Sequence, residues 1–407
     1  MSRRAGAREA AIAVATAIWV IALQRGPLSE GVITDVPLYR DVATRIWGGA
    51  IPYRDFDLEY PPLAALLLSA ADVPGLRYGS VFSALMLASL LVVIVAVDGI
   101  ARRLELGRGR RIAALAAVAL SPLALGGLME TRYDLVLAAV LALTVWAAVA
   151  GRPTTAWSLL AVGVLLKLSP LLLVPALALH LRARGEGDVR GPVTGAAIVV
   201  AGFLPFVVVA PGGIAEMLRF HLERPLQIES TVAAYLLALH ALADIPLTVV
   251  SSFGSQGLAG PGIPLLTAFS GAALVGLVGA IALVHGLRLQ REVLSVRDRD
   301  RLFVTVAGAT LLAAIGAAKV FSPQFMIWLL PVAFLITGRY GRWAFALSAA
   351  AIAMTAAYFP ARYWDLVAFE TLPIALLVAR DGLVLAALAA AWPRRTAAAT
   401  PAARRTG

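Results

Sequence analysis

Residues 77–129 read RYGSVFSALMLASLLVVIVAVDGIARRLELGRGRRIAALAAVALSPLALGGLM, an apolar stretch that runs into a knot of arginines and turns apolar again at once. About 20 apolar residues are the length that crosses hydrocarbon as a helix, and a short loop rich in arginine marks the cytoplasmic side. The two stretches, 77–100 and 112–129, are therefore expected to be antiparallel spans joined inside the cell. Working outward, similar stretches fall at 8–24, 134–150, 154–168, 170–183, 191–210, 263–287, 302–318, 324–338, 343–358 and 371–392. The expected fold is all-α and polytopic, with about twelve transmembrane helices plus short interfacial helices in the outer loops. Residues 1–392 are expected to form one domain. Several stretches are short, notably the pair beside Ser169-Pro170, where the lost backbone donor predicts a broken helix or a tight hairpin.

Composition points the same way. The 407 residues are 60% hydrophobic and only 14% charged, with a mean hydropathy of +0.85; soluble chains run at about 45–50% and about 25%. A net charge of +11 suggests nucleic acid at first sight. The basic residues instead lie in short clusters between apolar stretches, as topology signals do, so no nucleic-acid partner is expected. There are no cysteines, and the four histidines, His180, His221, His240 and His285, have no metal-ligand spacing. A thiolate site, a disulfide framework and a cysteine nucleophile are thereby excluded. No Gly-rich phosphate loop opens a helix after a strand, so nothing is built for ATP or a dinucleotide, and no cofactor is expected.

Arginines gather at 3–8, 102–111, 152, 182–190, 288–301, 339–342 and 394–405. Twelve spans with both termini cytoplasmic put every cluster inside, provided the apolar segment 231–246 does not cross. The N-terminal segment lacks a small-residue cleavage site and is expected to remain as the first helix. The tail 393–407 is expected to be a disordered cytoplasmic segment whose arginines hold anionic headgroups. The outer face then receives 25–76, 130–133, 211–262, 319–323 and 359–370, which carry most of the unusual chemistry. Charges near the hydrocarbon boundary are costly unless paired or solvated, so a polar cavity is expected there.

The first outer loop, ITDVPLYRDVATRIWGGAIPYRDFDLEYPPLAALLL, is long and of mixed composition, and long ordered loops tend to be functional. Residues 35–47 form an amphipathic pattern ended by Gly48-Gly49, and Pro61-Pro62 begins a second segment, 61–73, too short to span. Asp35 stands where an N-cap would. Asp55-x-Asp57 is a weak pattern for a divalent cation, and no metal site is expected. Arg132 and Asp134 are expected to pair with each other or to cap the helix beginning there. Trp328, Tyr358, Tyr363 and Trp364 are expected in the interfacial belt. Lys167 and Lys319 are the only lysines among 35 basic residues; each stands at an outward helix end, where an isolated ammonium needs an anion or must snorkel to the headgroups. Arg219, His221 and Arg224 lie within six residues of one another and could converge on phosphate, for which the guanidinium fork is suited. Gln227, Glu229 and Gln324 add hydrogen-bonding groups to the same outer segments.

The order Asp35, Tyr39, then GGAIPYRDF (48–56) and Glu59-Tyr60-Pro61-Pro62 resembles the first periplasmic loop of the polyprenyl-phosphate-dependent glycosyltransferases of the C-type membrane superfamily, and within it the bacterial alpha-mannosyltransferase group. Glu130–Asp134, Lys167–Pro170, the run Arg219–Ser230 and Phe321–Phe325 match in order, so the resemblance covers about residues 30–340. At 130–134 many relatives are more neutral, which leaves donor and acceptor preference open. The resemblance implies a polyprenyl-phosphate sugar donor, most readily mannose, a glycolipid or glycan acceptor of the cell envelope, and an active site on the outer face of the cytoplasmic membrane. It makes Asp35 the catalytic base, with Asp41, Asp55, Asp57 and Glu59 behind it. The candidate substrate-binding residues are Tyr39, Asp55, Asp57, Glu59, Tyr60, Arg132, Asp134, Lys167, Arg219, His221, Arg224, Gln227, Glu229, Lys319 and Gln324. A secondary transporter or lipid flippase is the competing class; the halves show no repeat, and the charges gather on one face instead of the midplane. A non-catalytic partner of envelope enzymes is a third reading.

Overall fold

A computed structural model describes residues 2–24 and 33–394. The chain is helical almost throughout. Helix α1 (Ser2–Ile18) continues as a π-helical turn over Trp19–Leu23. It is followed by α2 (Val36–Trp47), α3 (Pro62–Ala70), α4 (Tyr78–Arg103), α5 (Arg108–Leu125), α6 (Gly127–Thr131), α7 (Asp134–Val149), α8 (Pro153–Leu166), α9 (Val174–Ala183), α10 (Arg190–Val209), α11 (Pro211–Glu223) and α12 (Thr231–Ala243). Strands β1 (Thr248–Ser252) and β2 (Ser255–Ala259) make an antiparallel hairpin, and α13 (Ile263–Arg291), α14 (Val296–Ala317), α15 (Gly341–Tyr358), α16 (Tyr363–Val367) and α17 (Thr371–Ala391) complete the chain.

Six of these helices are long and apolar enough to cross a membrane: the first, over Gly6–Leu23, then α4, α10, α13, α14 and α17. Shorter apolar helices fill the gaps between them, at α7, α8, Ser169–Ala183 and Pro323–Leu335. This is the all-helical polytopic fold expected from the alternating apolar and arginine-rich segments. The stretch 324–338 is wound as short 3-10 turns instead of a continuous helix. At Ser169-Pro170 the chain does break: α8 stops at Leu166, Lys167 is extended, and a 3-10 turn over Ser169–Leu173 leads into α9. Helix α12 has only 13 residues and lies against α17, too short to cross by itself. The tail beyond residue 394 lies outside the described residues.

The core sits where α14 threads the bundle, with 89% of its most apolar window buried, whereas α10 is 6% buried and α13 17%. Burial on all sides marks a central helix, and an apolar helix with open sides in such a protein faces lipid. Asp98, on α4, is buried and paired with Arg102 at 2.9 Å and with Arg111. This ties the two ends of the arginine-rich 102–111 loop together.

The first loop is an ordered platform. Tyr39, Val42 and Ala43 of α2 are buried while Asp41 and Arg45 pair outward at 2.8 Å, the division of faces expected for 35–47. Helix α11 closes over it. A Cβ built on Gly213 would stand 1.9 Å from the Tyr53 carbonyl oxygen, so only glycine allows α11 to sit this close. The hairpin was not expected from the sequence; its alternation is weak, and Gln227, ahead of α12, bridges to Gly257 of its second strand.

Candidate active site

Asp35 occupies the N-cap position of α2, yet its side chain makes no capping hydrogen bond. Thr34 Oγ1 takes the Val36 N–H instead, at 3.1 Å. The Asp35 carboxylate is free to turn toward the bundle, where Oδ1 lies 2.9 Å from Arg132 Nη1 and Oδ2 accepts from the Tyr39 hydroxyl at 3.4 Å. Burial raises its pKa above the usual carboxylate range, Arg132 pulls it down, and Asp134 pushes it up. Arg132 is anchored in turn by the Ile33 carbonyl at 3.3 Å.

Arg132 and Asp134 were expected to pair with each other or to cap the helix beginning there; they do not pair, and Asp134 stands in the first turn of α7. They flank Tyr133 in the turn into α7, so their side chains leave in different directions. Arg132 goes to Asp35, whereas Asp134 accepts from Lys167 Nζ at 2.8 Å and from Trp328 Nε1 at 2.7 Å. Lys167 sits in an aromatic cage, with Phe325 and Trp328 ring centroids each 4.9 Å and Tyr133 5.4 Å from its ammonium. Tyr39, Tyr60 and Tyr133 pack edge to face at 5.3–6.1 Å beside it. Two elements create this cage. The extended backbone of Lys167 ends α8, and Pro323 starts the 3-10 turn that carries Phe325 and Trp328.

A second group is set by α11. His221 Nε2 lies 3.0 Å from the Glu59 carbonyl oxygen, and Arg224 Nη2 donates to Ser255 of the hairpin at 2.9 Å. Lys319 Nζ donates to the Leu222 carbonyl at 2.6 Å. Burial raises the Glu59 pKa and lowers those of His221, Arg224 and Lys319, which keeps His221 neutral near pH 7. The charges of Arg224, Asp35 and Lys167 all act on Glu59, which stands between the two groups.

Behind them lies a buried assembly. Glu229 accepts from the Tyr358 hydroxyl at 3.0 Å and from Gln227 Nε2 at 3.2 Å. Arg380 donates to that hydroxyl at 3.0 Å and to the Glu229 carbonyl at 2.6 Å, and its Nε lies 2.6 Å from Asp381. Burial pushes the Glu229 pKa up to about 7, against the pull of Arg380. The Gln227 backbone N–H bonds to the Lys319 carbonyl at 2.9 Å, which links this assembly to the second group.

Thirteen of the sixteen candidates thus meet at or beside this site. Gln324 stands at its edge, bonded to Ser322 Oγ at 2.5 Å. The remaining three, Asp55, Asp57 and Arg219, do not join it. Asp55 is used by the turn, accepting the Ile51 N–H at 2.7 Å and pairing with Arg54; those bonds hold its pKa down at about 2. Asp57 is exposed, and Arg219 pairs outward with Glu216 at 2.7 Å. Among the described residues no group of three or more acidic, histidine or cysteine side chains could hold a metal.

Several participants, Phe325 of the cage among them, were not assigned to the site from the sequence. Trp328 and Tyr358 are buried and bonded to Asp134 and Glu229, so they are not belt residues; Tyr363 is also buried, while Trp364 is exposed. Tyr133 forms a cage wall, and Arg380 anchors the Glu229 loop. The charged pair Arg380-Asp381 inside an apolar stretch was the available signal.

Arg132 Nε, Arg224 Nε, Asp134 Oδ2 and Gln227 Oε1 are buried and have no hydrogen-bond partner among the described residues. Donors and acceptors of this kind are costly to bury alone, and together they suit a ligand carrying both anionic and hydroxyl groups. No curated protein matches the chain. Among solved structures, ArnT from Cupriavidus metallidurans, in a crystal with undecaprenyl phosphate, is similar at 15% identity and a TM-score of 0.46, over 95% of this chain and 76% of that one. Residues 58–297, more than half of the chain, match glycosyltransferase family 87. The chain is a multi-pass membrane glycosyltransferase that belongs to glycosyltransferase family 87.

Proposed function

We propose that this glycosyltransferase moves a hexosyl unit, mannose, from a polyprenyl-phosphate donor to a glycolipid or glycan of the cell envelope. The reaction takes place on the outer face of the cytoplasmic membrane, with both chain termini inside. The observation that carries this reading is the placement of Asp35. Its carboxylate, released from capping, is aimed by Arg132 and Tyr39 at the edge of a cluster of cations. An acceptor hydroxyl oxygen attacks the anomeric carbon as the bond from that carbon to the phosphate oxygen breaks. The hydroxyl proton goes to Asp35 and the electron pair leaves with the polyprenyl phosphate. Lys167, Arg224 and Lys319 hold the phosphate as its charge grows, which is where fixed cations lower the barrier. Gln227, Glu229 and Glu59 hold sugar hydroxyls, and Tyr39 and Tyr60 pack beside them.

The prenyl chain needs an apolar surface level with the site. Helix α10 offers one: Val200, Leu204, Val207, Val208 and Val209 are exposed in the two to three turns before α11, which carries His221 and leads to Arg224. The test is incubation of the purified protein in lipid with labelled polyprenyl-phosphate mannose and an envelope lipid extract. Label transferred to an extract lipid or glycan supports the proposal. Transfer only from another prenyl-linked sugar overturns mannose, and no transfer from any of them overturns the polyprenyl-phosphate donor.

A further inference from the structure

At the end of the bundle opposite Asp35 lies a basin of about 1240 Å³, walled by the start of α5, the α13–α14 connection, the 336–342 turn and the end of α17. Its acids are already engaged: Glu105 pairs with Arg297, and Asp298 with Arg301 at 3.7 Å. Arg110, Arg339, Arg342 and Arg394 also line it, and among the described residues none of the four has a carboxylate in salt-bridge range.

These guanidiniums are held together instead of spread apart. Arg110 is fixed by the Ile336 and Gly341 carbonyls, each at 2.8 Å, and lies over the Phe345 ring at 5.3 Å. It faces Arg342 closely enough that burial and this like charge together lower its pKa. Arg339 and Arg394 both lie over the Tyr340 ring, at 5.3 and 5.0 Å. The N-termini of α5 and α15, each 18 residues long, open at the same basin and add positive dipole ends. Cations scattered by topology alone repel one another and stay apart in water. Cations fixed by carbonyls and rings around one hollow need an anion.

We propose that this basin binds the phosphate of an anionic phospholipid headgroup. Lipid is favoured over soluble phosphate by the setting: Tyr340 and Trp392 are amphipathic rings of the kind that settle at headgroup level, and Leu302, Ile336 and Ala390 give the basin an apolar side for acyl chains. The headgroup would bridge Arg110, the 336–342 turn and the end of α17, and so fasten three separate parts of the bundle.

The test uses the full-length protein, purified in detergent and titrated with phosphatidylglycerol or phosphatidylcholine, with bound lipid counted by native mass spectrometry. Wild type should bind phosphatidylglycerol saturably and in preference to phosphatidylcholine, with no displacement by millimolar inorganic phosphate. The double variant Arg339→Gln, Arg342→Gln alters two exposed side chains and should keep its melting temperature while losing about tenfold or more in phosphatidylglycerol affinity. Equal binding of the zwitterionic lipid, or unchanged binding by the folded variant, would overturn the site. Displacement by inorganic phosphate would overturn the lipid as its occupant.

Discussion

Asp35 and Arg132 come from different parts of the chain, 97 positions apart, and meet with Oδ1 2.9 Å from Nη1. One anchors the start of α2 and the other the turn before α7, so the pair fixes the first loop against the bundle while it aims a carboxylate. The charge on Arg132 also opposes the effect of burial on Asp35. Substitution Arg132→Gln should therefore raise the Asp35 pKa further. A base works only when deprotonated, so the acidic limb of the pH–rate profile should move to higher pH, with a fall in kcat that is partly recovered in alkaline buffer. Transfer rates measured across pH would show this; an unmoved limb would mean that Arg132 acts on something other than Asp35.

Lys167 serves a buried partner and, on the proposed chemistry, the donor phosphate. Replacing it by Met leaves Asp134, 1% exposed, with only the Trp328 donor. Breaking a buried ion pair from one side costs roughly 3–5 kcal/mol, so the melting temperature should drop and the donor KM rise. Adding Asp134→Asn should restore stability and leave the KM high. Recovery of both would reduce Lys167 to a structural role.

Glu229 makes stability depend on pH. Its folded pKa is raised from 4.5 to about 7 by burial, so the folded state holds the proton more tightly than the unfolded one. Its contribution is fully present below pH 4.5 and is lost as pH rises through about 7. Glu229→Gln should flatten the decline of melting temperature over that interval. A slope identical to wild type would contradict the buried, proton-sharing setting given to it by Tyr358 and Gln227.

Much of this architecture could be read from the residues because hydrocarbon imposes simple rules. Length and apolarity marked the six helices long enough to cross, and Gly48-Gly49 and Pro61-Pro62 marked the end of α2 and the start of α3. The lone lysines were legible for the same reason, since an ammonium in such a place needs a partner. Partner choice was not legible. Arg132 and Asp134 are two apart, and only the turn around Tyr133 decides that one meets Asp35 and the other Lys167. Likewise Trp328 looks like a belt residue until a 3-10 turn, started by Pro323, faces it inward. Three candidates stayed outside the site for an ordinary reason: Asp55, Asp57 and Arg219 are satisfied by neighbours or water.

Gly213 tests whether the second group depends on α11 being close to the first loop. Gly213→Ala brings a methyl group to 1.9 Å from the Tyr53 carbonyl oxygen, so α11 must shift. Overpacking of this kind costs about 1–3 kcal/mol. The melting temperature should fall, and the donor KM should rise as His221 and Arg224 retreat from Glu59. A variant with unaltered KM would show that α11 is a cover and not part of the donor site.

The central claim is that Asp35 takes the acceptor proton. The most direct measurement is sugar transfer from labelled polyprenyl-phosphate mannose by wild type and Asp35→Asn side by side, with donor binding measured on both. The account predicts a loss of about 10²–10⁴-fold in transfer with donor binding retained. Undiminished transfer by Asp35→Asn would contradict it.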